Sequence, residues 1–265
     1  MRRSATALPL ILSLGAAAPA VAGETACWFE NGAIVAPAAI ADMAGDFVID
    51  LSAPRTLLHN TKAQMSGYAD IDLTLPVRVA GRRVEAVPVL VSDLDYRSVG
   101  FVAPIAGVIG ADVLGRYVVI IDFAPCRLRL EAPGSTAASN GPGLPVTVVG
   151  GVPTVQATAS DGFASLTGAF ALDTASNGGV RARGDADGPR QKPAGVLAGL
   201  SLDGRLRQRV LAVRAGDLPR GVTGAVGVAI LSDYRLRLDA QAGQLWLTPT
   251  PQAPKEKGPG VSAGP

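Results

Sequence analysis

Two aspartates stand at the ends of apolar runs. Asp50 follows Phe47-Val48-Ile49, and Asp173 follows Phe170-Ala171-Leu172. Each opens a turn that carries hydroxyl groups: Asp50-Leu51-Ser52-Ala53 in the first case, Asp173-Thr174-Ala175-Ser176 in the second. A pseudo-two-fold relating the two turns would bring the carboxylates face to face. Two negative charges about 4 Å apart repel by roughly 4 kcal/mol at an effective dielectric of about 20, or about three pKa units. One carboxyl of such a pair keeps its proton while the other is charged, and the two titrate as a unit. That arrangement is suited to acid–base chemistry.

The elements that would position these residues are repeated as well. An apolar-apolar-Gly turn and a long strand-like run occur twice, over Gly107–Leu130 and Gly224–Leu247. Without a gap, Gly107 aligns with Gly224, Gly110 with Gly227, Leu114 with Leu231, Tyr117 with Tyr234, Asp122 with Asp239 and Leu130 with Leu247. The step from first aspartate to second glycine differs, 60 residues from Asp50 to Gly110 and 54 from Asp173 to Gly227, which places the difference in loops. A shared order of features at this spacing marks an internal duplication.

Composition agrees with a β-rich chain. Of 265 residues, 32 are Gly and 20 Pro, while aromatics make up 5%; many turns between short strands are expected. Strands are expected at Phe47–Asp50, Ala69–Val79, Val84–Val91, Val118–Asp122 and Arg127–Glu131, with a short helix over Gly110–Tyr117. In the second half they are expected at Pro145–Val149, Thr154–Ala159, Ala169–Asp173, Val196–Leu202, Val210–Val213, Leu236–Asp239 and Gln244–Thr248. Residues 23–131 and 144–249 read as two lobes, joined by a Gly/Ser/Pro-rich linker at 132–143 and followed by a tail at 250–265 too polar to bury a core. Residues 1–22 read as a secretory signal peptide, with Arg2-Arg3, an apolar core and a small-x-small site at Ala20-Val21-Ala22. A periplasmic or secreted location is the expectation. In an oxidising compartment Cys27 and Cys126 make a candidate disulfide; the alternative is two buried thiols. No other stretch approaches the roughly 18 apolar residues of a membrane span. The net charge of +2, with scattered basic residues, argues against nucleic acid as a partner. With a single histidine and no CxxC motif, no metal or cofactor is expected. His59 reads as a surface or loop residue.

Taken together, apolar-apolar-Asp-Thr/Ser, apolar-apolar-Gly and a tyrosine-bearing strand ending in Asp resemble the aspartic proteases. The spacing is nearest to the retropepsin-like proteins, with two copies in one chain as in the pepsin-like enzymes. The resemblance covers residues 45–249 and implies an all-β bilobal fold with a central cleft. It further implies a monomer, an extended polypeptide as partner, and peptide hydrolysis by water activated between Asp50 and Asp173 without a cofactor. Ser52, Thr174 and Ser176 take the supporting positions, and a flap hairpin is placed near Tyr68. The chain departs from the family's Asp-Thr/Ser-Gly at Leu51, Ser52 and Ala175. Leu51 lacks the hydroxyl that ties the motif loops together, and Ser52 and Ala175 bring a Cβ to a tight backbone. Two readings therefore stand: an exported aspartic endopeptidase, and a pseudoprotease whose cleft binds a peptide or envelope ligand without cutting it.

Overall fold

The computed structural model describes residues 23–135, 143–183, 191–202, 204–215 and 217–250. The expected signal peptide, residues 136–142 of the linker and the tail beyond residue 250 lie outside them. Strands β1 (Glu24–Ala26) and β2 (Trp28–Glu30) lead to β3 (Ala33–Ile40) and β4 (Met43–Ile49), which ends at Asp50. Then come β5 (Leu57–His59), helix α1 (Asn60–Met65), the hairpin β6 (Asp72–Val79) and β7 (Arg82–Ser92), β8 (Gly107–Ile109), helix α2 (Ala111–Leu114), β9 (Val118–Phe123) and β10 (Cys126–Glu131). The second half supplies β11 (Leu144–Val149), β12 (Val152–Ser160), β13 (Ser165–Asp173), β14 (Val180–Arg183), β15 (Gln191–Leu202), β16 (Arg205–Ala215), β17 (Gly224–Gly227), α3 (Val228–Leu231), β18 (Tyr234–Asp239) and β19 (Gln244–Pro249).

Each half closes a ring of six strands. In the first lobe β3, β4, β8, β5, β7 and β6 pair in turn, and β3 pairs again with β6. In the second, β12, β13, β17, β14, β16 and β15 do the same, closed by β12 with β15. The pairing sense repeats too. β8 runs parallel to β4 and antiparallel to β5, as β17 does to β13 and β14. Closure removes the exposed edges that an open sheet would present. The two rings form a bilobal all-β fold.

The repeated glycines are dictated by packing. A Cβ on Gly107 would lie 2.2 Å from the Leu57 carbonyl oxygen and 2.8 Å from the Phe47 ring. One on Gly224 would lie 2.5 Å from the Phe170 ring and 2.8 Å from the Arg181 carbonyl oxygen. Phe47 and Phe170 are fully buried, each worth roughly 1.5–3 kcal/mol of apolar burial. Each ring occupies the space that a side chain on the neighbouring parallel strand would need.

A shared antiparallel sheet joins the lobes, in the order β1, β10, β9, β18, β19, β11. At its centre β9 pairs with β18, with Ile121 opposite Leu236 and Val119 opposite Leu238. Arg237 in β18 donates to Glu131 in β10 at 2.9 Å. The Cys27–Cys126 disulfide forms, and it fastens the segment between β1 and β2 to the start of β10. Gly107→Ala and Gly224→Ala are each expected to cost about 1–3 kcal/mol through overpacking. Urea denaturation of the two variants measures this, while a Gly134→Ala control, whose Cβ meets nothing, pays only for its left-handed backbone.

Candidate active site

Asp50 and Asp173 emerge at the inner ends of β4 and β13, both almost fully buried. They line one cavity of about 310 Å³ between the lobes. The turns that carry them are stitched across the interface by one hydroxyl. Thr174 Oγ1 donates to the Ile49 carbonyl at 2.6 Å and accepts from the Leu51 N–H at 3.0 Å. Leu51 cannot return the bond, so its side chain is buried in the core instead. The Cβ atoms of Ser52 and Ala175 do not force either residue into the left-handed region. The Ser52 N–H donates to Asp50 Oδ1 at 2.8 Å and the Ala175 N–H to Asp173 Oδ1 at 3.1 Å, contacts that need only the backbone. The Ser52 hydroxyl adds a second donor to Asp50 Oδ1, at 2.7 Å.

The other oxygen of each carboxylate meets an arginine. Arg97 Nη1 donates to Asp50 Oδ2 at 2.9 Å, and Arg181 Nη1 to Asp173 Oδ2 at 2.8 Å. Arg181 also donates through Nη2 to Asp217 Oδ1 at 2.6 Å. The two arginines arrive differently. Arg181 stands on β14 opposite Ala225, the position held in the first lobe by Leu57, which stands on β5 opposite Val108. Arg97 comes from a 3₁₀ turn, Asp95–Arg97, in the segment between β7 and β8.

Burial opposes the charge on both guanidiniums, but Asp50 for Arg97 and Asp173 for Arg181 outweigh it and hold their pKa values above the ordinary one. Burial, then the nearby charge of Asp50, pushes the Asp173 carboxyl above its usual 3.8, with Arg181 pulling against them. Asp173 thus holds its proton to a higher pH than an ordinary carboxyl does. That shift comes from its neighbours and is invisible in the sequence. Arg97, Arg181 and Asp217 also carry no motif that would have marked them.

The remaining expected residues are scattered. Ser176 lines the cavity and its hydroxyl accepts from the Gly178 N–H at 3.3 Å. Tyr68 is not among the cavity residues. Residues 60–68 form α1 and its closing turn, with the Tyr68 N–H donating to the Ala63 carbonyl, and the ring packs half-buried on the first lobe's core. A hairpin, β6 with β7, begins four residues further on at Asp72. His59 is buried rather than superficial. It caps α1 by accepting the Thr61 N–H on Nδ1, and its Nε2 meets Asp95 Oδ1 at 3.0 Å. His59, Asp93 and Asp95 lie close enough to hold a metal ion. The chemistry is unfavourable: a metal on Nε2 would put the neutral ring's proton on Nδ1, which faces the Thr61 N–H.

No protein-family model matches this sequence, and no curated protein is similar to it at a meaningful level. Among solved structures, the aspartic proteinase from Irpex lacteus matches with a TM-score of 0.52 and 10% identity, over 86% of this chain and 97% of that one. The fold is that of a bilobal aspartic proteinase. At such identity the likeness concerns architecture alone.

In a carboxyl pair strained by mutual repulsion, Asp→Asn relieves strain. Here it takes away one of the two carboxyl partners of a buried guanidinium, which keeps Asp217, so Asp173→Asn is expected to destabilise the protein by about 1–3 kcal/mol. Adding Arg181→Leu, the first lobe's solution, should recover most of that loss in a double-mutant cycle. The pH dependence has a definite sign. The folded state holds the Asp173 proton more tightly than the unfolded chain, so this contribution is complete below 3.8 and is lost as pH rises through the folded value. Urea midpoints against pH should carry that falling component in the native protein and lose it in Asp173→Asn.

Proposed function

We propose that this protein is an exported, monomeric peptide-binding protein whose aspartic-proteinase cleft holds an extended polypeptide without hydrolysing it. One observation carries the reading: each aspartate is committed to its own arginine, Asp50 to Arg97 and Asp173 to Arg181. Peptide hydrolysis by a carboxyl pair needs one group free to take a proton from water and the other to donate one to the carbonyl. An oxygen engaged by a guanidinium 2.8–2.9 Å away is a poor base and leaves little room for the attacking water. The cleft itself remains. A second cavity of about 270 Å³, lined by Ser52, Leu57, Leu90 and Pro219, adjoins the first and shares Arg97, Arg181 and Asp217 with it. A chain laid across the seam can place side chains on both sides. The disulfide supports an oxidising, extracytoplasmic setting.

A second reading, an active aspartic endopeptidase, is favoured by the raised carboxyl of Asp173 beside Asp50 and by the Thr174 stitch, both of which belong to a working pair. Incubation with an unfolded polypeptide across acidic to neutral pH separates the two. The binding reading expects capture on the immobilised protein and no new fragments. Cleavage that both Asp50→Asn and Asp173→Asn abolish would overturn it in favour of the endopeptidase.

Motif repair gives a further expectation. Leu51→Thr, Ser52→Gly and Ala175→Gly together should leave the protein inactive, because the arginines still hold the carboxylates. Adding Arg97→Ala and Arg181→Leu should create measurable turnover. Activity from the three motif changes alone would show that the arginines are not the block.

A further inference from the structure

The repeats differ most in length at one place, and the cation on Asp50 comes from there. Leu57 pairs with Leu90 in the first lobe as Arg181 pairs with Val213 in the second. From Leu90 to Gly107 the chain takes 17 residues, and from Val213 to Gly224 it takes 11. The earlier steps, 7 and 33 residues in the first lobe against 8 and 32 in the second, cancel, so these six residues make up the net difference between the aspartate-to-glycine spacings, 60 and 54. The extra chain forms a strap, residues 93–106, laid across the first lobe's side of the cleft.

The strap is fastened outside the carboxylates. Leu94 and Ile105 are buried beside Val48 and Val108. The Asn31 amide donates to the Val99 carbonyl at 3.1 Å, and the Val102 N–H donates to the Glu30 carboxylate. Asp95 meets His59 at 3.0 Å. Between these fastenings the outward side chains are bare: Tyr96, Val99 and Val102 are 60%, 70% and 99% exposed. Arg181, by contrast, is rooted in a closed ring of strands. One of the two counter-charges is therefore fixed in the barrel, and the other is carried on an added segment anchored by Leu94 and Ile105 near its ends and by polar contacts between them.

We infer that the strap is a built-in plug: Arg97 acts as an internal ligand of Asp50, and withdrawal of the strap uncovers that carboxylate and opens the cleft to a peptide. The inference rests on the proposed peptide-binding role only for what enters; the plug itself concerns Asp50. Arg97 is the contact to be displaced, because it holds Asp50 Oδ2 and lines both cavities. A ligand that binds only the open state has its apparent affinity reduced by the fraction of molecules that are open. Weakening the strap should therefore tighten binding without any new contact.

Two readouts test this. The first is alkylation of Asp50 by a small epoxide, in which the carboxylate oxygen attacks the ring carbon to give a hydroxy-ester, mapped by mass spectrometry. The second is capture of a peptide bearing a secondary alcohol in place of one backbone carbonyl. Arg97→Gln removes the plug's head, and Asn31→Gly removes one fastening while preserving the positive φ of 47° at that position. Both variants are expected to label Asp50 about tenfold faster than the native protein, and Arg97→Gln to bind the alcohol peptide about tenfold more tightly. Native labelling as fast as that of Arg97→Gln would overturn the plug. If Arg97→Gln fails to fold, Asn31→Gly alone decides: faster labelling supports the plug, an unchanged rate overturns it. Faster labelling with no peptide capture by any variant would uphold the plug and sink the peptide-binding role.

Discussion

Two carboxylates buried at one seam must be neutralised, and nearly every unusual feature of this site follows from that requirement. A buried charge without a partner costs several kilocalories per mole. A duplicated fold that drives an aspartate inward from each half creates the problem twice, in one place. Proton sharing is one solution. This chain adds another, a guanidinium for each carboxylate, while burial and Asp50 still push the Asp173 carboxyl upward. The two solutions compete, because an oxygen that accepts from arginine is not free to pass a proton to a substrate. The stitch through Thr174 keeps the turns in register whichever solution is in use.

The parts of this arrangement that depend on local packing were legible in the residues. Gly107 and Gly224 must be small because Phe47 and Phe170 lie against them, and both pairs stand at matching spacings. Strands β6, β7, β9, β10, β18 and β19 follow from alternation and turn residues. What stayed hidden depends on partners far along the chain. The pairing of Asp50 with Arg97 spans 47 residues, and nothing near Arg97 distinguishes it from a surface arginine. Strand β3 was obscured by Pro37, which the strand accommodates at an exposed position. Helix α1 was hidden as well, because its N-cap is a histidine, His59, rather than the usual Ser, Thr, Asp or Asn. The same cap explains why a lone histidine is buried.

The pseudo-symmetry is most closely kept where strands lie against strands and is abandoned where charge is handled. Leu57 and Arg181 occupy equivalent places on β5 and β14, one apolar and one cationic. The first lobe, lacking a cation at that place, takes one from a longer connection. Two halves that began alike have thus met one electrostatic demand by different routes, and only one of these routes is built into the barrel.

The sheet joining the lobes has a consequence of its own. Each ring closes with its own strands, so a half-molecule would be complete except along β9, which pairs with β18 of the other half. Severed there, the first lobe would present a bare antiparallel edge rich in valine and isoleucine. The register of β9 with β18 is one that β9 could adopt with a copy of itself. The seam thus preserves the outline of a homodimer within a single chain, and in such an ancestor both aspartates would have been the same residue.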